Sequence, residues 1–285
     1  MLSQRDLLRE AAASGFQIQV LEKVLRLMEL LEGLRSHPFS GSRLALKGGT
    51  ALNLFVFDLP RLSVDIDLNY TGSAERQVML EERPKVAQAL AAVAARAGMA
   101  IQRVPEEHAG GKWRLSYQSV TGRPGVLEVD VNFLLRTPLW PVTPLNSRRV
   151  GAFRVEGIPV LDLHELAAGK LGALFGREAS RDLFDVRELF ATTDLEREKL
   201  RLAFVVYGAF NRRDWRTVRL DDVRVTPEEV DRRLVPLLRG TVAPSPADLG
   251  PWTERLVAEC REHLSDLLPL KAEELEFLDR LNDWP

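Results

Sequence analysis

Residues 62–69 alternate without interruption: Leu62, Val64, Ile66 and Leu68 fall on one side, and Ser63, Asp65, Asp67 and Asn69 on the other. A period of two does not fit a helix and reads as a strand with one buried and one polar face. Residues 127–133 repeat the pattern, with Leu127, Val129, Val131 and Phe133 opposite Glu128, Asp130 and Asn132. Two such strands require a sheet covered on its apolar side, with carboxylates on the other side.

The rest of the chain surrounds these strands with helices. Residues 3–35 place Leu7, Leu8, Val20, Val24, Leu27, Leu31 and Leu34 at helical spacing, with a break near Ser14-Gly15, which predicts two helices. The apolar Leu44, Ala45 and Leu46 precede Gly48-Gly49, and residues 50–57 read as a short helix entered directly from that turn. Residues 81–98 are alanine-rich and periodic, a helix stopped by Gly98. Strands are expected at 99–104, 112–119 and 126–134, the last two joined through Thr121-Gly122-Arg123-Pro124-Gly125. Residues 145–161 are punctuated by Pro and Gly and read as extended. From 162 onward the pattern is helical, apart from a polar, Pro-containing loop at 240–251. The expected organisation is α+β: N-terminal helices at 1–40, a mixed-sheet core at 41–160 and a helical C-terminal domain at 161–285.

Composition narrows the setting. In 285 residues, 39 Lys and Arg stand against 41 Asp and Glu, a formal net charge of −2. An anionic partner therefore has to be held by a local patch rather than by the overall charge. The one cysteine, Cys260, cannot form an intramolecular disulfide. No run reaches the roughly 18 to 20 apolar residues of a membrane span, and the start has no charged-then-apolar signal pattern. A cytoplasmic protein with no membrane partner is expected.

Asp65 and Asp67, two apart on one strand, project the same way roughly 7 Å apart, a spacing that suits one or two Mg²⁺ ions. If Asp130 comes from the neighbouring strand, three carboxylates converge on hard cations, as two-metal phosphoryl or nucleotidyl transfer requires. Gly48-Gly49-Thr50 supplies the complementary half. Two glycines let backbone N–H groups approach a phosphate, Thr50 adds a hydroxyl, the following helix adds its positive end, and Lys47 adds a full charge. Alone, a Gly-Gly before a helix is usually a tight turn and Asp-x-Asp a solvated face. It is their order along the chain that points to an NTP site.

Downstream, Lys170, Arg177, Arg181 and Asp185 lie at steps of seven, four and four, one face of an uninterrupted helix. Gly176 and Ser180 argue for an interruption, with Ser180 capping a new helix from Arg181. Such a face is either solvated, with an Arg181–Asp185 pair, or functional, with Lys170 against nucleotide phosphates beside Arg177 and Arg181 and with Asp185 orienting it or the incoming hydroxyl.

Together, KGGTAL (47–52), R-x-S-x-DID (61–67), the LEVDVNF strand and the K-x6-R-x3-RD-x2-D run (170–185) resemble the AbiEii/MenT family of nucleotidyltransferase-like toxins. The resemblance covers most of the chain and extends to LPLKAEELEFLDRL at 268–281. It implies a polymerase-beta-like nucleotidyltransferase core with helical additions, and a toxin that uses NTP and Mg²⁺ at a two-ion site and is restrained by an antitoxin from the same operon. Characterised MenT members transfer nucleotides, pyrimidines in particular, to the 3′ end of tRNA. By this resemblance Gly49 and Thr50 contact phosphates, Asp65 and Asp67 hold Mg²⁺, Lys170 binds the triphosphate and Asp185 is a distal essential acid. Arg61 and Ser63 line the site, and Asp130 matches the third carboxylate of the wider superfamily. Thr50 and Asp65 are further apart here than in many minimal nucleotidyltransferases, which suits this family.

Two other readings stay open on the residues alone: transfer to a protein or small-molecule hydroxyl, and a non-catalytic nucleotide- or partner-binding protein on the same fold. For RNA, the candidate contacts are Arg148-Arg149, Arg212-Arg213 with Trp215, and Arg232-Arg233. Trp113 and Trp140 are expected in the core.

Overall fold

A computed structural model describes residues 4–104 and 110–282. The chain divides into two compact units, the first running to Asp162 and including Leu237–Val242, the second formed by Leu163–Pro236 and the chain from Ala243.

The first unit opens with α1 (Gln4–Ser14) and α2 (Ile18–Ser36), separated where expected. Its sheet contains β1 (Leu44–Lys47), β2 (Asp65–Tyr70), β3 (Met99–Arg103), β4 (Gly110–Gln118), β5 (Pro124–Asn132), β6 (Thr143–Leu145) and β7 (Ile158–Val160). The strands lie in the order β3-β4-β5-β2-β1-β7-β6. Pairing is mixed: β2 with β5 and β1 with β7 are parallel, the other neighbours antiparallel. Two further helices belong here, α3 (Gly48–Ala51), which leads into a π turn at Leu52–Val56, and α4 (Arg76–Arg96).

Alternation decides which face is buried. Ile66 and Leu68 from β2, Trp113, Leu115 and Tyr117 from β4, and Leu127, Val129 and Val131 from β5 are all buried, as are Leu21, Val24 and Met28 of α2 and Val86, Leu90 and Val93 of α4. Burying large aliphatic side chains contributes about 1.5–3 kcal/mol each, so this layer drives the sheet's assembly.

Several boundaries differ from expectation for identifiable reasons. β2 begins at Asp65, three residues into the alternation, because the stretch before it pairs elsewhere: Leu62 N–H donates to Leu237 O (2.9 Å) and Arg61 bridges Leu238. The helix after the glycine turn begins at Gly48 and ends in a π turn, whose carbonyls Arg148 takes. The Arg148 backbone N–H donates to Leu54 O (2.6 Å), its Nε to Phe57 O (2.9 Å) and its Nη2 to Val56 O (3.1 Å). Arg148 thus clamps this turn while its side chain stays about half exposed. α4 starts at Arg76 rather than 81 and continues through Pro84, which removes one i→i−4 bond without ending the helix.

The second unit is helical: α5 (Leu163–Arg177), α6 (Ser180–Thr192), α7 (Arg197–Ala209), α8 (Pro227–Arg233), α9 (Leu249–Leu264) and α10 (Ala272–Asn282). Trp215, 1% exposed, packs against Phe204 (4.9 Å between centroids) and Phe175 (5.6 Å). The proposed base platform is therefore a core residue, and its neighbour Arg213 is tied to Phe175 O and Asp222. Trp113 is buried as expected, while Trp140 is half-buried. The polar loop ends sooner than expected because Pro251 lies in the first turn of α9, where a helix tolerates the missing N–H. Among the described residues no helix is long and apolar enough to cross a membrane.

Candidate active site

The polar face of the sheet carries a row of four side chains at one level. In the pairing register, Lys112 of β4 is opposite Asp130 of β5, Asp130 opposite Asp67 of β2, and Asp67 opposite Lys47 of β1. Register partners project from the same face of a sheet at about 4.8 Å between strands, so Asp67 and Asp130 form a side-by-side carboxylate pair with a lysine on each flank. One pleat along, Asp65 is opposite Glu128 and Glu128 opposite Arg114. Lys23 of α2 lies 3.9 Å from Asp65, and Lys112 donates to Glu128 at 3.2 Å.

The turn from β1 into α3 is built onto this row. Gly48 has φ +72°, and a Cβ there would run into the Asp67 carboxylate. A Cβ on Gly49 would sit 2.9 Å from Ser63 Oγ and 3.1 Å from Arg61 Nη2. The Gly-Gly pair is thus required by close packing against Asp67, Ser63 and Arg61, which brings all the residues of the first two motifs together. Thr50 is fully buried and donates from Oγ1 to the Asp65 carbonyl at 2.5 Å. Its hydroxyl ties the turn to the start of β2, a positioning role that the motif reading did not assign. Arg61, 2% exposed, donates to the Leu62 carbonyl at 2.9 Å. Burial lowers the Lys47 ammonium below its usual lysine value against the opposing pull of Asp67 and Asp130.

The donor set decides what such a row could hold. Asp67 and Asp130 offer adjacent hard oxygen ligands of the kind divalent cations take. Asp65 does not close on the same point: among the described residues no three acidic, His or Cys side chains converge closely enough to hold a metal ion. The pleat repeat of roughly 7 Å separates Asp65 from Asp67 along β2, and Asp65 has Lys23 as its near neighbour. The expected three-carboxylate cluster is therefore an adjacent pair with a third carboxylate one pleat away.

The later motif lies in the second unit and has its own geometry. α5 and α6 are distinct helices, broken at Glu178, which has φ +50°. The expected Ser180 cap is not used. Ala179 is the N-cap, and the Ser180 N–H donates to Glu229 at 3.0 Å. Lys170, 6% exposed, places Nζ 2.9 Å from both Asp182 and Asp185, which are 1% and fully buried. Arg177 grips Asp182 through Nε (2.6 Å) and Nη2 (3.0 Å). Burial works against the Asp182 charge, but Lys170 and Arg177 outweigh it and hold the carboxyl well below the usual range. Asp182, one turn before Asp185 in the RD-x2-D run, received no role from the sequence, yet it links Lys170 to Arg177. Asp185 pairs with Lys170 rather than with Arg181, which is half-buried.

A family model described as the AbiEii nucleotidyl transferase toxin of type IV toxin–antitoxin systems matches residues 29–265. Among solved structures, MenT4, a nucleotidyltransferase toxin from Mycobacterium tuberculosis H37Rv, shares the fold with a TM-score of 0.69 at 22% identity, covering 98% of this chain and 94% of its own. No curated protein matches the chain. The family implies an NTP substrate, typically a divalent metal, and an antitoxin partner. With the family model spanning most of the chain and the fold shared with a toxin of the same activity, this protein belongs to the AbiEii family of nucleotidyltransferase toxins.

Proposed function

We propose that this toxin transfers a nucleoside monophosphate, preferably a pyrimidine nucleotide, from NTP to RNA, at the 3′ acceptor end of tRNA, in a Mg²⁺-dependent reaction in the cytoplasm. The observation that carries this reading is the register pairing of Asp67 with Asp130 directly beside the Gly48 turn. Substrate class and nucleotide preference follow the resemblance to the MenT toxins.

In the reaction, the acceptor hydroxyl oxygen bonds to the α-phosphorus of the NTP. The bond from that phosphorus to its bridging oxygen breaks, and pyrophosphate leaves. Asp67 and Asp130, with Asp65 one pleat away, would hold Mg²⁺, which would neutralise phosphate charge and acidify the acceptor hydroxyl so that its proton passes to solvent. The chain's own residues do the positioning. The backbone N–H groups at Gly48 and Gly49 and the Lys47 charge face phosphate oxygens, Arg61 and Ser63 back the turn, and Thr50 fixes it to β2. The resemblance assigns Lys170 to the triphosphate and Asp185 to the essential acid. Asp182 and Arg177 then position Lys170.

The test incubates the protein and Asp67→Ala with total tRNA, Mg²⁺ and each α-³²P-labelled NTP. Label should enter tRNA from one pyrimidine NTP with the unmodified protein alone. Label in protein would replace the RNA acceptor by a protein hydroxyl, and no label anywhere would defeat the transfer reading.

A further inference from the structure

Beyond the carboxylate row, β4 continues with Arg114, Ser116 and Gln118 on the same face as Lys112, while Trp113, Leu115 and Tyr117 are buried on the other. The exposed side chains that β4 itself contributes to this face are hydrogen-bond donors, none of them a carboxylate. At the sheet edge, a register shift in β3 between Ile101 and Arg103 brings Arg103 opposite Arg114. Both arginines are exposed, and among the described residues no acidic group pairs with either. The nearest carboxylate by register, Glu128, bonds Lys112 instead.

Like charges directly opposed across two strands are destabilising, and irregularities of this kind re-aim side chains beside functional sites. A bridging anion turns that cost into a binding site. Lys112 is level with Asp130, and Arg114 lies one pleat repeat, roughly 7 Å, further along. A polyanionic strand ending over the row would therefore lay its following phosphates on the arginine pair.

We propose that Arg103 and Arg114, with Lys112 at the near end, seat the phosphate backbone of the RNA acceptor. This rests on the reading of RNA as the acceptor. Arginine suits the role because its planar fork binds two phosphate oxygens at once.

The test is a fluorescence-anisotropy titration of a fluorescein-labelled RNA hairpin with a short single-stranded 3′ end, from 50 to 200 mM salt. R103Q/R114Q should bind about tenfold or more weakly than the unmodified protein. Its log–log salt slope should fall by about 1.4, two phosphate contacts at roughly 0.7 each. R76Q/R96Q, which removes two exposed arginines of α4, should bind as the unmodified protein does. Equal loss in both variants, an unchanged slope, or no RNA binding by the unmodified protein would overturn the inference. Arginine-dependent RNA binding without label transfer to RNA would leave the seat standing and defeat the transfer reading instead. Matching melting temperatures confirm that the variants fold.

Discussion

Asp67 of β2 and Asp130 of β5 are register partners on parallel strands, so two carboxylates stand side by side on one face of the sheet between Lys47 and Lys112. Opposed like charges cost stability, and folds retain such pairs where function needs the charge.

The variants Asp67→Asn and Asp130→Asn should accordingly separate stability from activity. Each keeps the shape of the side chain and removes a repulsion together with an attraction to a flanking lysine, so the melting temperature should change little. Nucleotide transfer should fall by roughly 10²-fold or more, the scale on which lost transition-state electrostatics act. A melting curve and an initial-rate assay on the same preparation check both halves. A large fall in melting temperature would make the pair structural.

Gly48→Ala and Gly98→Ala form a second comparison. Both glycines have positive φ, +72° and +67°, but a Cβ at Gly48 meets the Asp67 carboxylate while one at Gly98 meets nothing within 4 Å. Gly98→Ala should cost about 1–2 kcal/mol for the left-handed backbone alone and leave transfer intact. Gly48→Ala should cost more and abolish transfer, because the turn must move off Asp67. Urea denaturation and label incorporation measure the difference.

The Lys170–Asp182–Arg177 network predicts a pH dependence. The folded Asp182 carboxyl titrates below its unfolded value of about 3.9. Its stabilisation is therefore fully present above that value and is lost as pH falls toward the lower folded pKa. Asp182→Asn should lower the melting temperature near pH 7, and the gap to the unmodified protein should narrow below about pH 4. A constant gap from pH 7 to 3 would show that Asp182 is not the titrating group. Lys170→Met should be more severe, about 3–5 kcal/mol, because it removes the ammonium that both buried carboxylates share and leaves Asp182 to Arg177 alone.

Trp215→Ala should destabilise by about 3–5 kcal/mol through the cavity it leaves against Phe175 and Phe204. Milder Trp215→Phe should fold and bind RNA normally. Selective loss of RNA binding in Trp215→Phe would return this residue to the interface.

The alternation at 62–69 and 127–133 and the glycine turn were legible because side-chain period and backbone conformation are local properties. From them came the two half-buried strands and, together with the helical periodicity and the charged run at 170–185, the mixed α+β class and the resemblance that the family match upholds. What depends on partners distant in the chain was not legible. Arg148 reads as one of two adjacent arginines until its bonds to the carbonyls at 54–57 are seen, and Trp215 reads as an aromatic beside arginines until Phe175 and Phe204 enclose it. Asp182 is one acidic residue among 41 Asp and Glu until Lys170 and Arg177 close on it across the break at Glu178. The sequence by itself determined which residues alternate, turn and bear charge. Only the tertiary structure decided which strand lies beside which, and so which carboxylates become neighbours, because strand register is set by the shared burial of apolar faces far apart in sequence.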